Sequence, residues 1–247
     1  MYFTLFIAFY VIQLHSYQTI IFVQAGDLVL PPRIALIHAI EMAIHPIAQA
    51  FQTHWPEAET INILDDSLSK DRASSDSLDR KMVNRFLTLG DYAKSIDANG
   101  ILFTCSAFGP AIEAVAEQHT MPVLKPNEAM FSRALNIGKN ICMLVTFENS
   151  IDSMCKEFQV MANVRNNVAK LDVVFVDGAM SKLKQGLMDD HNELILQTAK
   201  KMNGYDVLML AQFSMASARE AISQQINIPI LTAPDAATKL MKKQLTK

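Results

Sequence analysis

Displaced along itself by 107 positions, the sequence matches itself. Ala111 falls on Ala218, Glu113 on Glu220, Ala114 on Ala221, Gln118 on Gln225, Pro122 on Pro229 and Leu124 on Leu231. Val115/Ile222 and Val123/Ile230 are conservative pairs, and the same displacement lays the apolar run Ile34–Ala39 over Ile141–Thr146. A near displacement lays Leu64-Asp65 over Val176-Asp177. Self-similarity at a fixed period means that one structural unit is used more than once. Two homologous halves are therefore expected.

Within each half, apolar runs of strand length alternate with stretches of helical spacing. The runs are Ile34–Ala39, Ile61–Leu64, Ile101–Cys105, Val123–Leu124, Ile141–Phe147, Val173–Val176, Val207–Ala211 and Ile230–Leu231. Helical spacing covers Pro46–His54, Leu78–Ile96, Pro110–Gln118, Glu128–Leu135, Ile151–Met161, Met180–Met202, Met215–Gln225 and Ala236–Leu245. Pro46 and Pro110 suit a first helical turn, where a missing N–H costs nothing. Strand then helix, repeated, gives parallel sheets covered on both faces, an α/β fold. The polar stretch Ser67–Ser77 reads as a mobile loop. The expected organisation is an extension over residues 1–32, a first half over 33–126 joined by the C-terminal helix 235–247, and a second half over 127–234.

Composition narrows the function. A net charge of −3 with no basic stripe gives no reason to expect a nucleic-acid partner. The three cysteines, Cys105, Cys142 and Cys155, form no CxxC pair and suit a reducing compartment, so a cytoplasmic location is expected. No HExxH motif supports a zinc site, and neither GxGxxG nor GxxxxGK[ST] is present to cradle a nucleotide. The first 25 residues, MYFTLFIAFYVIQLHSYQTIIFVQA, carry no Lys, Arg, Asp or Glu. They read as a secretory signal with Phe3–Ile12 as its core and Val23-Gln24-Ala25 as its cleavage site, as a membrane anchor, or as an extension outside the folded domain. No membrane partner is expected beyond that segment, and a homo-oligomer is compatible with the sequence.

Chemistry-bearing residues gather at two matching turns. ILFTCSAFGPAI runs from strand to helix through Cys105, and LAQFSMASA repeats the passage with Gln212 in the cysteine's place. In open α/β sheets ligands sit off the carboxyl ends of the strands. A helix start there offers unpaired N–H groups and partial positive charge, which hold anions and favour a thiolate. Cys105 between the Thr104 and Ser106 hydroxyls reads as an acid or base beside a carboxylate; the alternative is a small buried hydrophobe ending a strand. Thr104, Ser106, Ala107, Gln212, Phe213, Ser214 and Thr146 are the candidate substrate-binding residues. His38, Asp65, Asp177 and Lys125 lie at or near strand ends and are candidates for a second acid or base. A hydrogen-bonded histidine, a loop-capping carboxylate and a solvated lysine are the plain alternatives for His38, Asp65 and Lys125. Phe108, Phe213 and Met215 hint at an apolar wall. His191 reads as a surface residue, Cys142 and Cys155 as core.

ILFTCSAFGPAI with PVLKPNEAM, and LAQFSMASA with PILTAPDAA, resemble the aspartate/glutamate racemase superfamily, which includes hydantoin racemases, maleate isomerases and arylmalonate decarboxylases. The resemblance spans about Arg33 to Leu245. It implies two α/β halves facing each other across a cleft, no metal, no pyridoxal phosphate or other cofactor, and a small carboxylate or amino-acid substrate. In such racemases one cysteine from each half flanks the substrate carbon, one removing the α-proton and the other returning a proton to the opposite face. Cys105 matches the first of these cysteines. Gln212 stands at the second, and an amide is neither acid nor base near neutrality. Three readings stay open: another ionisable group replaces the second thiol; Cys105 alone serves a decarboxylase or isomerase of a malonate-type acid; or the protein binds a small acid without turnover. Gln212 would orient the substrate.

Overall fold

The computed structural model describes residues 30–75 and 77–246, so the N-terminal segment with its three readings lies outside the described residues. Among the described residues the strands form two four-stranded sheets in which every pairing is parallel. In the first half β1 (Arg33–His38), β2 (Glu59–Leu64), β3 (Gly100–Phe103) and β4 (Val123–Leu124) are ordered β2-β1-β3-β4. In the second, β5 (Asn140–Val145), β6 (Lys170–Phe175), β7 (Val207–Leu210) and β8 (Ile230–Thr232) are ordered β6-β5-β7-β8. One topology is used twice. Strands β1, β3 and β4 map onto β5, β7 and β8 at the displacement of 107 seen in the sequence. The outer strands do not. Leu64 pairs with His38 as Phe175 pairs with Val145, so Asp66 rather than Asp65 corresponds to Asp177. The near match in the sequence was one residue out, and strand register, in which a single-residue slip turns every side chain to the other face, decides the correct one.

Central strands β1, β3, β5 and β7 are apolar on both faces, with Ile34 to Leu36, Ile101, Leu102, Ile141 to Val145 and Val207 to Leu210 fully buried. The helices on either side make this necessary. In chain order these are α1 (Ile44–His54), α2 (Ser67–Ala73), α3 (Arg80–Ser95), α4 (Gly109–Gln118), α5 (Glu128–Ile137), α6 (Ile151–Val164), α7 (Ala179–Lys184), α8 (Met188–Ala199), α9 (Arg219–Ser223) and α10 (Ala233–Leu245). Short 3-10 turns follow the central strands: Glu41–Ala43, Ser106–Phe108, Glu148–Ser150 and Phe213–Ala218. The turn after β3 touches the turn after β5, and the turn after β1 touches the turn after β7. The carboxyl ends of the two sheets therefore face one another. Among the described residues no helix is long and apolar enough to cross a membrane.

Five expectations need correction. The stretch Ser67–Ser77 is not a loop throughout, because α2 occupies most of it. Asp65 receives the Ser67 N–H at 3.2 Å and the Ser67 hydroxyl at 2.6 Å, Leu68 is buried, and Arg85 of α3 binds both Asp65 and Asp71. Such a helix owes its stability to tertiary contacts, which polar composition conceals. The run Met180–Met202 is two helices, divided at Gly186, whose φ of +76° suits glycine alone. The stretch after Gln212 begins as a 3-10 turn and becomes α-helical only at Arg219. His191 is buried, with Nδ1 2.8 Å from the Ala179 carbonyl, and ties α8 to α7. Cys142 is core as read, whereas Cys155 is partly exposed.

Close backbone approach fixes where β5 begins. A Cβ placed on Gly138 would lie 2.1 Å from the Asp206 Cβ. The Asp206 carboxylate accepts the N–H groups of Lys139 and Asn140, each at 2.8 Å. Gly138→Ala is expected to destabilise the fold by about 1–3 kcal/mol, the usual range for overpacking. A urea denaturation midpoint equal to that of the parent protein would contradict this.

Candidate active site

Cys105 leaves β3 in extended conformation (φ −123°, ψ 124°), directly before the turn Ser106–Phe108. Its sulfur accepts the Ala107 N–H. Ala39, Leu68, Phe86, Phe103 and Phe108 close in on the half-buried thiol and leave a crevice too narrow for a water molecule, and Phe86 packs on Phe108 with ring centres 4.8 Å apart. Burial in these surroundings pushes the thiol pKa up; the Ala107 N–H and the charge of Arg72 pull it down without reversing the direction. The thiolate expected from a helix start is thus not the favoured resting form. Apolar walls outweigh the few oriented N–H groups of a short 3-10 turn, so these surroundings favour the neutral form of Cys105.

The cation beside it, Arg72, belongs to α2 and reaches the Ala107 carbonyl through Nε at 3.4 Å. Reading its segment as a loop hid this residue. A usable signal was present: Leu68 and Arg72 are four apart, so on a helix they share a face, and Leu68 lines the thiol pocket. His38, at the end of β1, lines the same pocket. It is fully buried, with Nδ1 3.0 Å from the Thr104 hydroxyl and Nε2 2.9 Å from Asn62 Oδ1. Burial lowers its pKa, against the Asn62 contact. With Nε2–H donating to Asn62, Nδ1 accepts from Thr104, an assignment inferred from the partners. Asn62, a lone amide within the apolar run of β2, was not singled out in the sequence.

At the second turn both ends of the Gln212 amide have partners. Its Oε1 accepts the Thr146 N–H at 2.8 Å and the Thr146 hydroxyl at 3.3 Å, and its Nε2 donates to Ser150 Oγ at 3.1 Å. Ser150, also missed, passes its own proton to the Phe147 carbonyl at 2.7 Å. Phe213 and Met215 are core residues rather than walls of a site, and Phe108 alone of the three aromatic or methionine candidates lines the thiol pocket. Ser214 is buried, and Ser106 has no hydrogen-bond partner among the described residues. The structure thus gathers His38, Thr104, Cys105 and Ala107 in one group and Thr146 and Gln212 in another.

The remaining acid/base candidates make no hydrogen bond to Cys105 or its turn among the described residues. Asp65 is held by Ser67 and Arg85; burial works to raise its pKa, but these partners outweigh it and the carboxyl titrates low. Asp177 is exposed in the turn before α7. Lys125 lies 2.9 Å from Glu113 and 3.4 Å from Glu157. Burial opposes its charge, and the surrounding carboxylates more than compensate.

A model of the Asp/Glu/hydantoin racemase family matches residues 41–241, a span that contains both turns. The chain belongs to that family. No curated protein sequence matches it. Among solved structures it is similar to the aspartate racemase of Picrophilus torridus, at 15% identity over 86% of this chain and 94% of that one, with a TM-score of 0.68. A glutamate racemase from Francisella tularensis, in complex with D-glutamate, is similar at 15% identity over 88% and 81%, with a TM-score of 0.64. A variant of arylmalonate decarboxylase is similar at 10% identity over 86% and 92%, with a TM-score of 0.62. At these identities the structures establish a shared fold, and the family assignment makes the chain an enzyme of the racemase group.

Two measurements follow from the electrostatics of this racemase-family chain. Arg72→Ala should raise the Cys105 pKa further and slow alkylation at pH 8 by roughly two- to tenfold; an unchanged rate-against-pH curve would contradict the assigned role of Arg72. The second concerns Glu128, which begins α5 beside Lys125. Burial pushes its pKa from 4.5 to about 7, with Lys125 opposing and Glu157 adding to the rise. Such a group holds its proton more tightly folded than unfolded. Its stabilisation is complete below pH 4.5 and is lost as pH rises through about 7. The gap corresponds to about 3 kcal/mol at most. Glu128→Gln should flatten the fall in stability between pH 5 and pH 8, as measured by urea denaturation at each pH.

Proposed function

We propose that this enzyme moves a proton at the α-carbon of a small carboxylate or amino acid, with Cys105 as the group that carries it. One observation supports this above others: the Cys105 thiol leaves the carboxyl edge of β3 among apolar walls, with the Arg72 guanidinium reaching the Ala107 carbonyl beside it. Loss of carbon dioxide from the α-carbon, or in the racemase reading of a proton to a second base, leaves an electron pair that spreads into the adjoining carboxylate. Arg72 and the N–H groups of the Cys105 turn offset that charge where it develops. The Cys105 S–H bond then gives its proton to carbon, and the resulting thiolate keeps the Ala107 N–H as a partner until water reprotonates it.

The state of Gln212 favours a one-sided reaction. Its amide does not ionise and is committed to Thr146 and Ser150. Stereospecific decarboxylation or isomerisation of a malonate-type acid needs only one proton donor, which Cys105 supplies. Racemisation through a substitute second acid is the other reading, and His38 is the candidate for it because it lines the same pocket as Cys105. The D-glutamate held by the Francisella tularensis relative supports an amino acid as substrate in that case. The unpaired cysteines support a cytoplasmic location.

Deuterium incorporation in heavy water tests the proposal, followed by NMR with amino acids, hydantoins and substituted malonates and with the parent protein and Cys105→Ala. Label that enters only after loss of carbon dioxide, and only with Cys105 present, is the expected outcome. Cysteine-dependent exchange with inversion would favour the racemase reading and direct attention to His38. Turnover unchanged in Cys105→Ala would overturn both.

A further inference from the structure

The internal repeat creates two equivalent seams between the halves, and they are filled differently. At one, α6 meets the turn after β3; at the other, α1 meets the turn after β7. In the first seam the Lys125 ammonium lies among Glu113, Glu157 and the charge of Glu128. The displacement of 107 carries Glu113 to Glu220 and Glu128 to Asp235, while Glu157 corresponds to Ala50 and Lys125 to Thr232. Two of the acids recur. The lysine does not, and the Thr232 hydroxyl instead accepts the Asp235 N–H at the start of α10, at 3.4 Å. The second seam holds an open groove of about 410 Å³ between α1, the turn Phe213–Ala218, α9 and α10.

Groups of both charges line this groove. Asp235 is committed, with Oδ1 3.0 Å from His54 Nε2 and Oδ2 3.1 Å from an Arg219 terminal nitrogen. Arg219 has further N–H donors that this contact leaves unused. The side chains of Glu220 and Gln49 make no hydrogen bond among the described residues, and both line the groove. The chain has thus kept a carboxylate at the position of Glu113 while losing the ammonium that answers it in the other half. A ligand with an ammonium and a carboxylate answers Glu220 and Arg219 together through charge-assisted hydrogen bonds.

We propose that this groove binds a small zwitterion of the amino-acid class, its ammonium on Glu220 in the role Lys125 plays at the other seam, and its carboxylate on Arg219. The proposal does not depend on the chemistry assigned to Cys105, because no residue of the Cys105 turn lines the groove. Its reach extends to the second turn, however, since Ala216 and Ser217 on the groove wall belong to the turn that Gln212 opens.

An amide NMR titration of the Cys105→Ala protein with L-alanine and with L-glutamate tests this. Saturable shifts at Ala216, Ser217 and Arg219 are expected with at least one of the two, weakened tenfold or more by Glu220→Gln and by Arg219→Gln. Glu220 is exposed and unpaired, so its variant keeps the fold. No shift with either amino acid, or shifts that both variants leave unchanged, would overturn the proposal. So would an equal response to methylammonium or to acetate alone. Shifts confined to the Cys105 turn would place the ligand at the catalytic site and overturn it as well, while leaving the proposed reaction intact.

Discussion

Each half ends its central strand pair on the same hydrogen bond. The Thr104 N–H reaches the Ile37 carbonyl at 3.0 Å, and at the displacement of 107 the Ala211 N–H reaches the Leu144 carbonyl at 3.1 Å. These last rungs of β3 on β1 and of β7 on β5 set where the strand stops and the 3-10 turn starts. The next residue along leaves the sheet at its carboxyl edge. In one half that residue is Cys105 and in the other Gln212. The parallel pairing is therefore what aims the two turns, and the Cys105 turn meets the turn after β5 in the other half as the Gln212 turn meets the turn after β1.

Position is shared by the two turns, and environment separates them. Around Cys105 the neighbours are aromatic and aliphatic, with His38 held by Thr104 and Asn62, and Arg72 at the rim. Enclosure favours the neutral thiol, the cation favours the thiolate, and the balance keeps the proton on sulfur until a ligand alters it. Around Gln212 the partners are Thr146 and Ser150, which leave its carbonyl oxygen and one amide hydrogen engaged. One turn keeps a reactive group, and the other is tied off.

The duplication, the alternation of strand and helix and the place of residue 105 at the end of β3 were legible because they rest on long periodic patterns and on a local strand-to-helix signal. What escaped depends on contacts distant in sequence. Helix α2 forms because Asp65 caps its start and Arg85 of α3 draws in Asp65 and Asp71, and no local propensity announces that. Arg72 was lost together with the helix that presents it. The pull on the Cys105 proton was misread for a related reason: the helix-start argument is local, whereas the apolar wall that outweighs it draws Leu68 from α2 and Phe86 from α3. Asn62 and Ser150 are ordinary polar residues until the fold sets them against His38 and Gln212.

The bond set of Gln212 has a stereochemical consequence. Two thiols facing a planar carbanion from opposite sides erase the handedness of whatever enters. A single thiol, whose counterpart in the repeat is an amide tied to Thr146 and Ser150, writes a handedness instead. On the proposed chemistry, the enantiomer this enzyme releases is decided by which of the two matching turns carries the sulfur, and moving that sulfur to the other turn would yield the mirror-image product from the same fold.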